Sequence, residues 1–101
     1  MIEENLENSP YPETVDLEIT DSIDLHSFEP KDIRDVVRAY LGEARAKGFT
    51  VVRLIHGKGI GVQREIVRKV LSETDFVRSF KNAPEFSGGS GATIVEFEQG
   101  T

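Results

Sequence analysis

The stretch "VVRLIHGKGIGVQREIVRKVL", residues 51–71, decides how the chain folds. Val51, Val52, Leu54 and Ile55 make a short apolar, β-branched run of strand composition. From Phe49 to His56 it reads as a near-continuous apolar strand of the kind buried in parallel sheets. The run ends in His56-Gly57-Lys58-Gly59-Ile60-Gly61, and beyond Gly61 the residues Val62, Ile66 and Val70, with Val67 and Leu71, recur at helical spacing. A strand, a glycine loop and a helix therefore follow one another directly. Three glycines interleaved with a histidine and a lysine make a poor core segment, so the loop itself becomes the candidate for chemistry.

Working outward, "SIDLH" (22–26) alternates as a strand, with Ile23 and Leu25 facing one way and Asp24 and His26 the other. "SFEPKDIRDVVRAYLGEARAKG" (27–48) reads as a helix, with Pro30 in its first turn, a stripe of Ile33, Val36, Val37, Tyr40, Leu41 and Ala44, and Gly48 as its stop. "FVRSFKNA" (76–83) and "ATIVEFE" (92–98) are two more strands, joined by "PEFSGGSG", whose glycines suggest a mobile hairpin loop. Val15, Leu17 and Ile19 alternate as a short edge strand or arm, and residues 1–14, with Pro10 and Pro12 and no period, read as a disordered acidic leader. The order β-α-β-α-β-β defines an α/β (α+β two-layer) domain over residues 15–101. Right-handed crossovers put both helices on one face of a four-stranded sheet.

A chain of 101 residues, 38% hydrophobic, suits one ordinary globular domain. It has no apolar stretch near twenty residues and no basic-then-apolar leader, so neither a membrane span nor a secretory signal is expected and a cytoplasmic address follows by default. With no cysteine there is no disulfide, thiolate metal site or thiol nucleophile. The net charge of −6 hides an asymmetry: residues 1–29 carry nine acids and no Lys or Arg, residues 30–81 carry all twelve bases against six acids, and residues 82–101 add three acids. A +6 middle segment can line an anion-binding surface, for which the acidic leader would compete, or it can simply be solvated helix faces.

In open α/β sheets ligands bind at the C-terminal ends of the parallel strands. Asp24 and His26 close the first strand, and His56, Lys58, Gly57, Gly59 and Gly61 follow the second, so all converge on that edge. Amides at the start of the following helix, with the positive end of its dipole, would attract phosphate. The spacing matches neither a Walker loop, which needs Gly-Lys-Ser/Thr, nor the dinucleotide fingerprint, whose third glycine comes one residue later. A phosphate cradle without a nucleotide motif suits a backbone phosphate at least as well as a mononucleotide.

These residues also carry a resemblance. "IDLHSFEP", "VRLIHGKGIG" and "GGSGATIVEF" are similar to the three signature blocks of the Smr (small MutS-related) domain, in order and at matching spacing over about residues 20–98. Ser27 departs from the commoner glycine after the histidine. The resemblance implies a fold like the C-terminal domain of the third bacterial translation initiation factor, with the last strand antiparallel between its neighbours. It also implies endonuclease activity on RNA or DNA, with Asp24 and His26 in a catalytic block, His56 and Lys58 in a second, and Gly88, Gly89, Gly91 and Thr93 in a third.

Phosphodiester cleavage needs a base, an acid and positive charge on the equatorial oxygens. His26 and His56 are the side chains whose ordinary pKa lies near neutrality; Asp24 could orient a histidine or hold a single divalent metal such as Mg. Lys58 and the loop amides would stabilise the phosphorane, and Arg53 and Arg64 would anchor flanking phosphates. Against these roles stand plainer ones: His56 as a cap or satisfied structural histidine, Asp24 as a turn cap, Gly88–Gly91 as a hairpin. No two-metal carboxylate cluster is legible. The expectation is a monomeric endonuclease. Its rivals are a non-catalytic nucleic-acid or ribosome-binding module and a small-molecule phosphohydrolase. No aromatic pair with the spacing of a stacking platform separates RNA from DNA.

Overall fold

The computed structural model describes residues 20–59 and 61–99. The acidic leader and the arm expected at Val15–Ile19 lie outside the described residues. The elements are β1 (Ser22–Asp24), α1 (Pro30–Ala46), β2 (Val51–Ile55), α2 (Val62–Ser72), β3 (Val77–Asn82), two 3-10 turns (Glu85–Ser87 and Gly89–Gly91) and β4 (Ala92–Phe97). The sheet order is β1-β2-β4-β3. β1 and β2 are parallel, and β4 is antiparallel to both β2 and β3. Three strands therefore point one way and the last in sequence fills the slot between the second and third.

Composition explains the slots. β4 presents Ala92, Thr93, Val95 and Phe97 as buried residues and takes an inner position, whereas β3 exposes Arg78, Ser79, Lys81 and Asn82 and takes an edge. The other edge, β1, is three residues long. Both helices pack on one face. Ile33, Val37, Tyr40, Leu41 and Ala44 of α1 and Val67, Val70 and Leu71 of α2 cluster with Leu25, Val52, Leu54, Val95 and Phe97. Truncating one of these large side chains, such as Leu54→Ala, costs roughly 2–5 kcal/mol. Phe76 meets Phe97 edge-to-face with ring centroids 5.4 Å apart. Pro30 opens α1, whose end is marked by Gly48 at φ 92° with its amide donating to the Arg45 carbonyl at 3.0 Å.

Three expectations change. β2 is buried on one face only: Val52 and Leu54 point into the core, while Val51 is exposed and Arg53 and Ile55 are half-buried. The apolar run read as a two-sided strand because Val51 and Ile55 are apolar, yet no helix covers their face. Val62 is 45% exposed, because it stands in the first turn of α2, beyond the sheet edge. The segment 84–91 does join β3 to β4 as a hairpin, but not as an open loop. It winds into two turns stitched by Ser87 N–H to Pro84 O (2.8 Å), Gly89 N–H to Pro84 O (2.9 Å) and Gly91 N–H to Gly88 O (2.9 Å).

Candidate functional site

The C-terminal ends of β1 and β2 meet at one edge, and strand parity there sorts the polar residues. Leu25 continues β1 inward, its amide donating to the Ile55 carbonyl at 2.7 Å. Asp24 and His26, on alternate positions, face out. Asp24 Oδ1 accepts two hydrogen bonds from His26, one from the backbone N–H at 3.0 Å and one from Nδ1–H at 2.5 Å. The ring hydrogen bond, then the backbone one, hold the Asp24 carboxyl below the usual carboxylate range. With Nδ1 engaged, Nε2 is the nitrogen left to act. Side-chain exposures of 66% for His26 and 54% for Asp24 leave the pair open to a substrate.

His56 is the opposite case. Continuing the inward series Val52, Leu54, it is 5% exposed. Its Nδ1–H donates to the Gly57 carbonyl at 3.1 Å, and its Nε2 accepts from the hydroxyl of Thr93, itself fully buried, at 2.9 Å. That arrangement satisfies the neutral ring. Burial first, and the charges of Arg64 and Arg68, push its pKa below the ordinary value, outweighing the Gly57 hydrogen bond.

The third block docks on the second. The Gly91 carbonyl accepts from the His56 and Gly57 amides, both at 2.9 Å. A Cβ on Gly91 would lie 3.1 Å from Lys58 Cγ and 3.4 Å from the Gly57 carbonyl carbon, so glycine lets the two loops touch. Gly61, at φ 88°, is the left-handed N-cap of α2, a conformation few other residues adopt. Among the described residues no side chain caps this helix start. The amides of its first turn are therefore available to an anion. Gly59 has open space above it, and Gly88 and Gly89 serve the turns of segment 84–91, with left-handed φ of 118° and 55°.

The basic middle segment does not form one surface. Arg34, Arg38 and Lys69 converge on Glu73, and the Arg45 guanidinium lies over the Phe76 ring. Arg53 donates Nε and Nη2 to Ser22 Oγ and Nη1 to the Ser87 carbonyl, each at 3.2 Å. It clamps β1 to segment 84–91 on the uncovered face and is not brought to the strand-end cavity. Arg64 and Arg68 share Asn82 Oδ1 as acceptor at 3.0 and 2.8 Å. Among the described residues their buried Nε–H groups have no acceptor. Lys58, Arg64 and Arg68 are thus cations near this edge that no carboxylate pairs among the described residues.

A cavity of about 320 Å³ lies between these parts, lined by His26, His56, Gly57, Gly59, Gly61, Val62, Gln63 and Arg64. Asp24 attaches to it through His26, whereas Lys58 is not among its lining residues, although its neighbours Gly57 and Gly59 are. Sequence reasoning missed Gln63, whose amide donates to the Phe28 carbonyl at 2.7 Å and ties α2 to the turn after β1. It also missed Arg68 and Asn82. Arg68 was findable, four residues after Arg64 on the same helix face; Asn82 carried no signal. No group of three or more His, Cys, Asp or Glu side chains that could hold a metal occurs among the described residues, so Asp24 is the sole carboxylate behind the metal expectation.

The fold is that of an open α+β sheet domain with a cavity and a helix start that no described side chain caps at the edge where its parallel strands end. Comparison with known proteins narrows it: the sequence profile of the Smr domain matches residues 23–98, and the chain belongs to that family. Endonuclease MutS2 of Aquifex aeolicus is 36% identical over 86% of this chain, and that of Thermus thermophilus 40% over 72%. The chain spans about a tenth of the length of these curated relatives, 12% and 10%. The crystal structure of the Smr domain of Thermus thermophilus MutS2 superposes with a TM-score of 0.75 at 36% identity, covering 79% of this chain and all of that one. YdaL, a stand-alone small MutS-related protein from Escherichia coli, gives 0.75 at 30% identity over 78% of this chain and 65% of its own. Among the described residues no helix is long and apolar enough to cross a membrane.

Proposed function

We propose that this domain is an endonuclease that holds a phosphodiester of RNA or DNA in the cavity and cleaves it there. The observation that carries the reading is the Asp24–His26 pair, open to solvent and sharing a cavity with an uncapped helix N-terminus. Asp24 fixes the His26 tautomer with Nδ1 protonated, so Nε2 takes the proton of the attacking oxygen as its bond to phosphorus forms and returns a proton to the leaving oxygen as the scissile P–O bond breaks. The first-turn amides of α2 and the charges of Lys58 and Arg64 stabilise the negative charge that builds on the phosphorane. His56 acts from beneath as a positioning residue, holding Gly57 and Thr93. A divalent ion, if bound, would reach the remaining oxygen of Asp24 and add charge stabilisation; the roles of Asp24, His26 and Lys58 stand on the protein's own groups. The relatives' name, endonuclease MutS2, supports the same chemistry.

One observation favours a second reading, a nucleic-acid or ribosome-binding module that grips phosphate without cutting. Of the two histidines only His26 has a ring nitrogen at the cavity without a partner among the described residues. Incubating the full chain with labelled single- and double-stranded RNA and DNA, with and without chelator, tests both. Cleavage of at least one substrate is expected, with affinity falling steeply as salt rises, because phosphate contacts release counterions. Salt-sensitive binding with no cleavage of any substrate would select the binding module; no binding to any would overturn both.

A further inference from the structure

Phe86 is 90% exposed, the most open large hydrophobic among the described residues. A single exposed apolar side chain is ordinary on a protein surface. This one is mounted differently. It sits in the middle of the Glu85–Ser87 turn, and the residues around it are tied from several sides. Ser87 donates to Pro84 and accepts from Arg53, Ala83 donates to Ala92 at 3.0 Å, and Gly91 receives the His56 and Gly57 amides. The loop carrying Phe86 leaves the C-terminal end of β3, which runs parallel to β1 and β2, so it belongs to the edge that holds the cavity. The fold thus holds an uncovered phenyl ring on a braced turn at the edge where the cavity lies, where core packing makes no use of it.

Resting on the nuclease reading above, we infer that Phe86 is a stacking platform for an unpaired base, and that the substrate at this edge is single-stranded. A base face is free to lie on a phenyl ring only when it is not stacked in a duplex, and such stacking tolerates any base. The cavity then takes the backbone phosphate while Phe86 takes a base of the same strand. A braced turn loses little backbone freedom on binding, which suits a platform. The pairing of ring and cavity is invisible in linear sequence, since Phe86 and His56 are thirty residues apart.

The test measures binding of nuclease-resistant phosphorothioate oligonucleotides, one single-stranded and one duplex, by fluorescence anisotropy with the full chain, Phe86→Ala and Phe86→Trp. Phe86→Ala should weaken single-strand binding about five- to a hundredfold, the range of one lost stacking contact, and leave duplex binding unchanged. Phe86→Trp should restore or tighten it. Circular dichroism of both variants should match the parent, because the ring is outside the core. Equal single-strand affinity in Phe86→Ala and the parent overturns the platform and leaves the phosphate site standing, as does an equal loss on both probes. Failure of the parent to bind either probe removes the nuclease reading itself.

Discussion

His26 and His56 stand one position apart in the sheet register, and that offset separates them completely. The carbonyl of Ile55 receives the Leu25 amide, so Leu25 and His56 are neighbours that both point into the helix layer, while His26, one residue further on, points out. His26 is held at one nitrogen by Asp24 and, among the described residues, has no partner at the other. His56 has both nitrogens engaged inside the protein. The same residue type, at the ends of two adjacent parallel strands, is thereby left exposed in one case and buried in the packing in the other. The lesson is that a histidine in a signature block has a role only once the face it occupies is known.

The sharpest way to break this contrast is to remove each ring in turn. His26→Ala should lower cleavage by about 10²–10⁴-fold, the usual contribution of a general acid or base, while its urea unfolding midpoint matches the parent. Substrate turnover at parental rates would end the role of the Asp24–His26 pair. His56→Ala should do the reverse, lowering stability by roughly 2–4 kcal/mol, because it opens a cavity and leaves the buried Thr93 hydroxyl without its acceptor. An unchanged unfolding free energy would show that the ring is not structural. Thr93→Val removes only the hydroxyl and should cost about 1–2 kcal/mol in the same measurement.

The smallest expected effect is a pH dependence carried by His56. Its folded-state pKa lies below the ordinary 6.5 of the unfolded chain, so between the two values the unfolded state binds the extra proton. The contribution of the neutral ring is complete above about pH 6.5 and is lost as pH falls toward the folded value. Urea unfolding at about pH 8 and pH 5.5 should show the parent losing stability at the lower pH, and His56→Ala losing less. A parallel loss in both chains would place the titration elsewhere. Asp24 runs in the same direction at lower pH: its carboxyl is depressed, so its contribution fades as pH falls through the folded value.

Much of the fold was legible. The α1 stripe, Pro30 and Gly48 marked one helix, and the period of Ile66, Val67, Val70 and Leu71 marked the other, because both helices bury one face on the same sheet. The inner place of β4 came from the family resemblance; the composition of Ala92–Phe97 agrees with it but would also suit a parallel strand. Of the site, "DLH" and "HGKGIG" stood out because glycines and titratable residues at strand ends are poor core material. Their division of labour did not stand out. Arg53 and Arg64 looked alike as spare cations in a basic segment, yet one is a clamp on the uncovered face and the other lines the cavity.

By itself the sequence determined the order of elements, the faces of both helices and the gathering of Asp24, His26, His56 and Lys58 near one edge. These follow from local periodicity and chain direction, which short-range sterics and solvent exclusion dictate residue by residue. Only the tertiary structure decided which histidine is free, which arginines are engaged, and that segment 84–91 folds over the second loop. Those outcomes depend on partners far away in the chain, Thr93 for His56, Ser87 for Arg53, Asn82 for Arg64 and Gly91 for the loop amides. A hydrogen bond between distant residues leaves no period in either partner's own segment.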